Sequence, residues 1–177
     1  SNLLYNEVLG NVMQGNLDQL GPPEFTKEEK VYAKKYQDTL SRKDIESAYS
    51  HAGIDIVEGQ ALAESVVSGD INPVDMGGST DVADVSWVVP TVSLWGANYA
   101  IGTPFHSWQM TAQGKSSIAI KGMTHAAMVM AATGYDLMSN KKILDDAWSE
   151  HHKTIVKEGY MLPISHSASP PIKDMAP

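Results

Sequence analysis

Pro90-Thr91-Val92-Ser93-Leu94-Trp95 is the stretch on which the choice of fold class turns. Branched Thr91 and Val92, followed by Leu94 and Trp95, come directly after a proline that a helix interior does not tolerate. The run therefore reads as a buried strand. Downstream, Gly102, Pro104 and Gly114 mark a long loop. Gly122 to Met138 is rich in alanine and methionine with almost no charge, which predicts a helix buried on most sides. A charged helix follows, roughly from Lys141 to Lys157. Helices around at least one buried strand imply an α/β architecture, but a single strand is too few for a complete sheet.

Upstream, Leu4, Val8, Val12 and Leu20 follow the spacing of a helix face, and Gly21-Pro22-Pro23 stops it. Thr26 reads as an N-cap with acidic Glu28 and Glu29 in the first turn of a second helix. Ser41 caps a third, short helix from Arg42 to His51. Between Gly53 and Gly78 the signals are mixed, with a helical patch over 60–67 and then loop residues. The proline-bearing tail divides the chain into a main portion, 1–161, and a tail, 162–177. No internal repeat is present, and Ser1-Asn2 before an immediate helix pattern has the look of a tag scar.

At 177 residues the chain suffices for one domain with its own core. No apolar run reaches the roughly 20 residues of a membrane span, and no signal peptide is visible, so a soluble, cytoplasmic, non-membrane protein is expected. A net charge of −8 without a concentrated basic face argues against a nucleic-acid partner. With no cysteine, neither a disulfide framework nor a thiolate nucleophile is available, and any metal must be held by histidine and carboxylates.

The densest chemistry lies in Gly77-Gly78-Ser79-Thr80-Asp81-Val82-Ala83-Asp84 and in Gly102-Thr103-Pro104-Phe105-His106-Ser107-Trp108-Gln109. Glycines admit close approach of a ligand and the adjacent hydroxyls supply donors, which makes Gly78, Ser79 and Thr80 candidate contacts for a substrate carboxylate. The plainer alternative is a turn that caps a helix. His106, in a loop after the expected strand, is a candidate metal ligand. Alternatively it is a hydrogen-bonded structural histidine, since metals take three or four ligands and no second one stands nearby in sequence. His125 reads as packed or hydrogen-bonded, and adjacent His151 and His152 as members of a solvated helix face. Asp81 and Asp84 share a face if their stretch is helical, and capping is a simpler role for them than acid–base work. No P-loop, Gly-x-Ser-x-Gly elbow or His-Glu-x-x-His helix occurs.

Taken together, Gly-Ser-Thr-Asp-Val-Ala-Asp-Val-Ser-Trp from Gly78, Gly-Thr-Pro-Phe-His-Ser-Trp-Gln from Gly102, and the small-residue run after Gly114 resemble the metallopeptidase family of aminoacylases, bacterial glutamate carboxypeptidases and aminobenzoyl-glutamate hydrolases. The resemblance is strongest to the branch of aminobenzoyl-glutamate utilization protein B, and it reaches from Tyr5-Asn6 to Tyr160–Ile164. It implies the C-terminal part of an exopeptidase-like α/β catalytic domain, helices around a mixed sheet, without the lid domain. Also implied is a site of two divalent metals, zinc or manganese, to which His106 contributes one ligand. Gly78, Ser79 and Thr80 would hold the substrate carboxylate.

In that family a metal-bridged water attacks the amide while a glutamate takes its proton. The glutamate and the remaining ligands belong to the N-terminal half, so this chain would carry no catalytic residue and be inactive by itself. The expected substrate is an N-acyl or N-aroyl amino acid, p-aminobenzoyl-glutamate first, with another acyl-amino acid or a dipeptide as the alternative. A non-catalytic interaction module of the same fold is the competing function class. The resemblance further implies a homodimeric parent that joins through the missing lid.

Overall fold

The computed structural model describes residues 2–67, 80–160, 164–165, 167–169 and 171–172. Its elements are α1 (Glu7–Leu20), α2 (Lys27–Gln37), α3 (Arg42–Ala52), α4 (Asp81–Ser86), α5 (Trp108–Gln113), α6 (Ser117–Ser139) and α7 (Lys141–Glu158). Their starts follow local chemistry. Asn6 caps α1 by accepting from Leu9 N at 3.0 Å. Helix α2 opens on a capping box, with Thr26 Oγ1 accepting from Glu29 N and the Glu29 carboxylate accepting from Thr26 N at 2.7 Å. Ser41 and Asp44 repeat the arrangement at α3, and left-handed Gly53 closes that helix.

Helices α1, α6 and α7 pack on one another. Leu9 and Met13 of α1, Val129 and Thr133 of α6, and Ala147 and His151 of α7 are among the buried residues of these helices. A second cluster joins Ala33 of α2 to Ala61, Leu62, Ala100 and Ile118, flanked by Phe25, Tyr32 and Tyr36. Helix α6 supplies Ile118 to this cluster and also packs on α1 and α7, so it is the shared wall of both. Lys121 fastens α6 to α2 by reaching the Glu29 carboxylate at 2.8 Å and the Glu24 carbonyl at 2.9 Å. Burial alone would raise the pKa of Glu29. The paired Lys121, with hydrogen bonds from Ser117 and the Thr26 N–H, instead holds it down to about 2.

The α/β expectation is overturned: the described residues form helices and no strand. The run 91–95 has no regular secondary structure, and the physical reason is the absence of a partner. A strand persists through a ladder of hydrogen bonds to a neighbour, and no second run among the described residues supplies one. The polypeptide there finds other support. Gly96 and Asn98 lie against α6 at Gly122, and the next backbone donors go to Gln113 Oε1 (from Ala100 N, 2.8 Å) and Ala61 O (from Ile101 N, 2.9 Å).

Smaller expectations also change. The stretch 60–67 is not helical, and the loop after Gly102 contains the short helix α5. Helix α6 is buried along one side rather than most, with Met123, Met130 and Met138 all more than half exposed. His151 is buried at 4% exposure and hydrogen-bonded to Ser86 O at 2.8 Å, whereas His152 is exposed as expected. His125 is hydrogen-bonded to Gly21 O at 2.6 Å, in keeping with its packed reading. The tail division at 162 and His166 lie at or among residues outside the described set.

Candidate functional site

Two turns carry the residues singled out above. In the first, Gly78 and Ser79 lie outside the described residues, and Thr80 is the N-cap of α4. Its backbone is extended (φ −151°, ψ 148°), and its hydroxyl accepts from Val82 N at 3.3 Å. The hydroxyl keeps its own hydrogen and remains exposed, so capping leaves it able to donate to a ligand. Asp81 and Asp84 fall in the first turn of α4, and Asp84 Oδ1 accepts from the Tyr160 hydroxyl at 3.1 Å.

What holds this turn in place is a set of contacts invisible in the local sequence. Ser86, fully buried, donates to Ala83 O at 2.5 Å and accepts from Leu4 N at 2.8 Å. Its carbonyl accepts from His151 Nε2, which fixes the imidazole with hydrogen on that nitrogen. Trp87 stacks on Tyr160 with centroids 5.4 Å apart, and its indole N–H donates to Asn2 O at 2.9 Å. Helix α4 is thus clamped between the segment before α1 and the end of α7 with the residues that follow it.

The second turn bears His106. Its φ of 58° is left-handed, the only such non-glycine among the described residues, and its side chain is exposed. Conformations of this kind are costly for a residue with a Cβ and persist where the surroundings impose them. Here the surroundings are well defined. Gly102 turns at φ 90° where an added Cβ would stand 3.0 Å from Ile45 Cα, so α3 presses against the start of the turn. Ser107 donates to Pro104 O at 2.7 Å and caps α5 through Met110 N.

Gln113, only 1% exposed, joins the pieces. It accepts from Ala100 N and donates both to Thr103 Oγ1 at 3.2 Å and to Gln109 O at 3.0 Å. Aromatic rings flank the turn, with Phe105 5.7 Å from Trp95 and 6.2 Å from Tyr99, and Trp108 6.1 Å from Tyr36.

Among the described residues no hydrogen bond or ring contact joins Thr80 to His106, and no three His, Asp or Glu residues gather as metal ligands. An exposed imidazole with no partner among those residues fits a single ligand of a shared site. It does not make up a site, because three or four donors are required. The supports, Gln113, Ser86 and His151, escaped sequence reasoning. A glutamine closing a short helix and a histidine on a charged one carry no local signal of burial.

No protein-family profile matches the chain. No solved structure matches it either. Among curated proteins, a p-aminobenzoyl-glutamate hydrolase subunit of Escherichia coli (strain K12) is 35% identical over 184 residues, covering 98% of this chain and 38% of that protein. The chain therefore spans well under half of that relative's length. Such similarity along nearly every residue places the chain, for the part it represents, in the family of that p-aminobenzoyl-glutamate hydrolase subunit.

Proposed function

We propose that this chain is the C-terminal part of a hydrolase that cleaves the amide bond of N-acyl or N-aroyl amino acids, with p-aminobenzoyl-glutamate as the leading substrate. The observation that carries the reading is the 35% identity over 98% of the chain to a protein whose name gives that activity. That relative is named as a subunit, so the longer protein is taken to work with a companion chain.

Within this reading Gly78, Ser79 and Thr80 contact the substrate carboxylate. Support comes from the extended, solvent-facing backbone of Thr80 and from a hydroxyl with a hydrogen still to donate. His106 supplies one nitrogen to a pair of divalent metals, zinc or manganese, whose other ligands and general base come from outside this chain. In favour are its exposure, its imposed left-handed backbone and the tight Gln113 network beneath it.

The test is release of p-aminobenzoate from p-aminobenzoyl-glutamate by a longer protein containing this chain, after chelation and after return of zinc or manganese, with His106→Ala alongside. Activity that returns with metal and collapses in the variant supports both reaction and ligand. Cleavage of only other acyl-amino acids keeps the reaction class and removes the substrate. Failure on all of them, with every metal, rejects the enzyme reading in favour of an interaction module.

A further inference from the structure

Helix α6 is apolar on two opposite sides, and among the described residues only one is covered. Its buried residues, Ile118, Gly122, Val129 and Thr133, lie on one face by helical spacing. Both of its charged side chains are engaged with neighbouring elements, Lys121 with Glu29 and Asp136 with the Asn16 amide at 2.8 Å. On the opposite side Ile120, Met123, Met130 and Met138 are 55%, 61%, 58% and 84% exposed, and Ala127 and Ala131 are exposed between them. No charge interrupts this face from Ile120 to Met138, a length of about 27 Å at 1.5 Å per residue.

A helix apolar all round belongs in an interior, and an uninterrupted apolar face of this length is an interaction surface. Methionines beside alanines form soft ridges around shallow floor, suited to a closely packed protein element. A lipid surface is disfavoured, because the chain carries −8 overall and α6 offers a single lysine that is already paired. What is available is polypeptide: the relative continues far beyond the 38% of its length that this chain matches.

We infer that the Ile120–Met138 face of α6 is the docking surface for that remaining polypeptide, which covers it with uncharged, apolar side chains. The inference rests on the reading of the chain as part of a longer hydrolase. It goes further by naming where the two parts meet, and it makes α6 the internal wall of the assembled protein.

Methionine oxidation tests this without any substitution, since thioether reactivity tracks exposure. Peroxide or hydroxyl-radical labelling, read by peptide mass spectrometry, is applied to the 177-residue chain and to a longer protein that includes it. Met13 of α1, at 7% exposure, is the buried reference. In the 177-residue chain Met123 and Met130 are expected to oxidise at least about tenfold faster than Met13, and in the longer protein about as slowly as Met13.

Rapid oxidation of both methionines in the folded longer protein overturns the proposal. So does protection already present in the 177-residue chain that disappears on dilution, because a second copy is then the cover. Hydrolysis measured on the same longer protein separates the two readings. Protection without hydrolysis leaves the docking face standing and removes the activity, whereas hydrolysis without protection does the reverse.

Discussion

At His106 the backbone angle of 58° sets local conformational cost against chemistry. A left-handed conformation costs a residue with a Cβ about 1–2 kcal/mol, while glycine adopts it freely and brings an entropic cost of roughly 0.5–1 kcal/mol. His106→Gly should therefore fold at least as stably as the natural chain in urea melts and, under the proposed function, abolish metal-dependent hydrolysis in the longer protein. Marked destabilisation would mean that the imidazole serves packing. Gln113 is the opposite kind of residue, buried and fully engaged. Gln113→Leu leaves the Ala100 N–H without its acceptor and should cost roughly 2–3 kcal/mol in the same melts. Glu29 links stability to pH. Its folded pKa, about 2, lies below the ordinary 4.5, so its contribution is complete above pH 4.5 and drains away as pH falls toward 2. With allowance for the part-exposed Lys121, Glu29→Gln should lose on the order of 2 kcal/mol at neutral pH and close most of that gap near pH 2.

Two glycines of α6 separate propensity from packing at the level of the element. An added Cβ at Gly122 would strike Asn98 Oδ1 and stand 2.5 Å from Ala97 O, a backbone atom that has to move. At Gly134 nothing lies within 4 Å. Gly122→Ala is thus expected to destabilise by about 1–3 kcal/mol and Gly134→Ala to stabilise by about 0.5–1 kcal/mol, measured by thermal or urea unfolding. The longer helices α1, α2, α3, α6 and α7 were legible for the same reason that this comparison is simple, since a helix closes its hydrogen bonds within itself and announces its start in capping residues such as Thr26 and Ser41. The run 91–95 was not, because strand formation depends on a partner that local composition cannot guarantee. The burial of His151 was not legible because its hydrogen-bond partner, Ser86 of α4, is 65 residues away in the chain. Of the candidate site, the turn residues could be named from the sequence, and the buried side chains that hold them could not.

Taken whole, the molecule holds α4 and the His106 turn on separate supports, and among the described residues it gathers too few ligands for a metal pair. Calorimetric titration of the 177-residue chain with zinc should accordingly show no two tight, stoichiometric sites, and finding them would remove the idea of a shared site. The start of helix α1 bears on how the chain reaches this form. The Glu150 carboxylate accepts from Glu7 N at 2.7 Å and Val8 N at 3.0 Å, and Asn6 Nδ2 donates to Ala147 O at 3.0 Å. These contacts join residues more than 140 positions apart. During synthesis α1 emerges before α7 and waits for it before its first N–H groups find that carboxylate. Closing so long a loop carries an entropic cost that nearby contacts do not. Helix α1 thus leaves the ribosome before α7 yet is secured only once α7 has formed, and until then its apolar face is open to other chains.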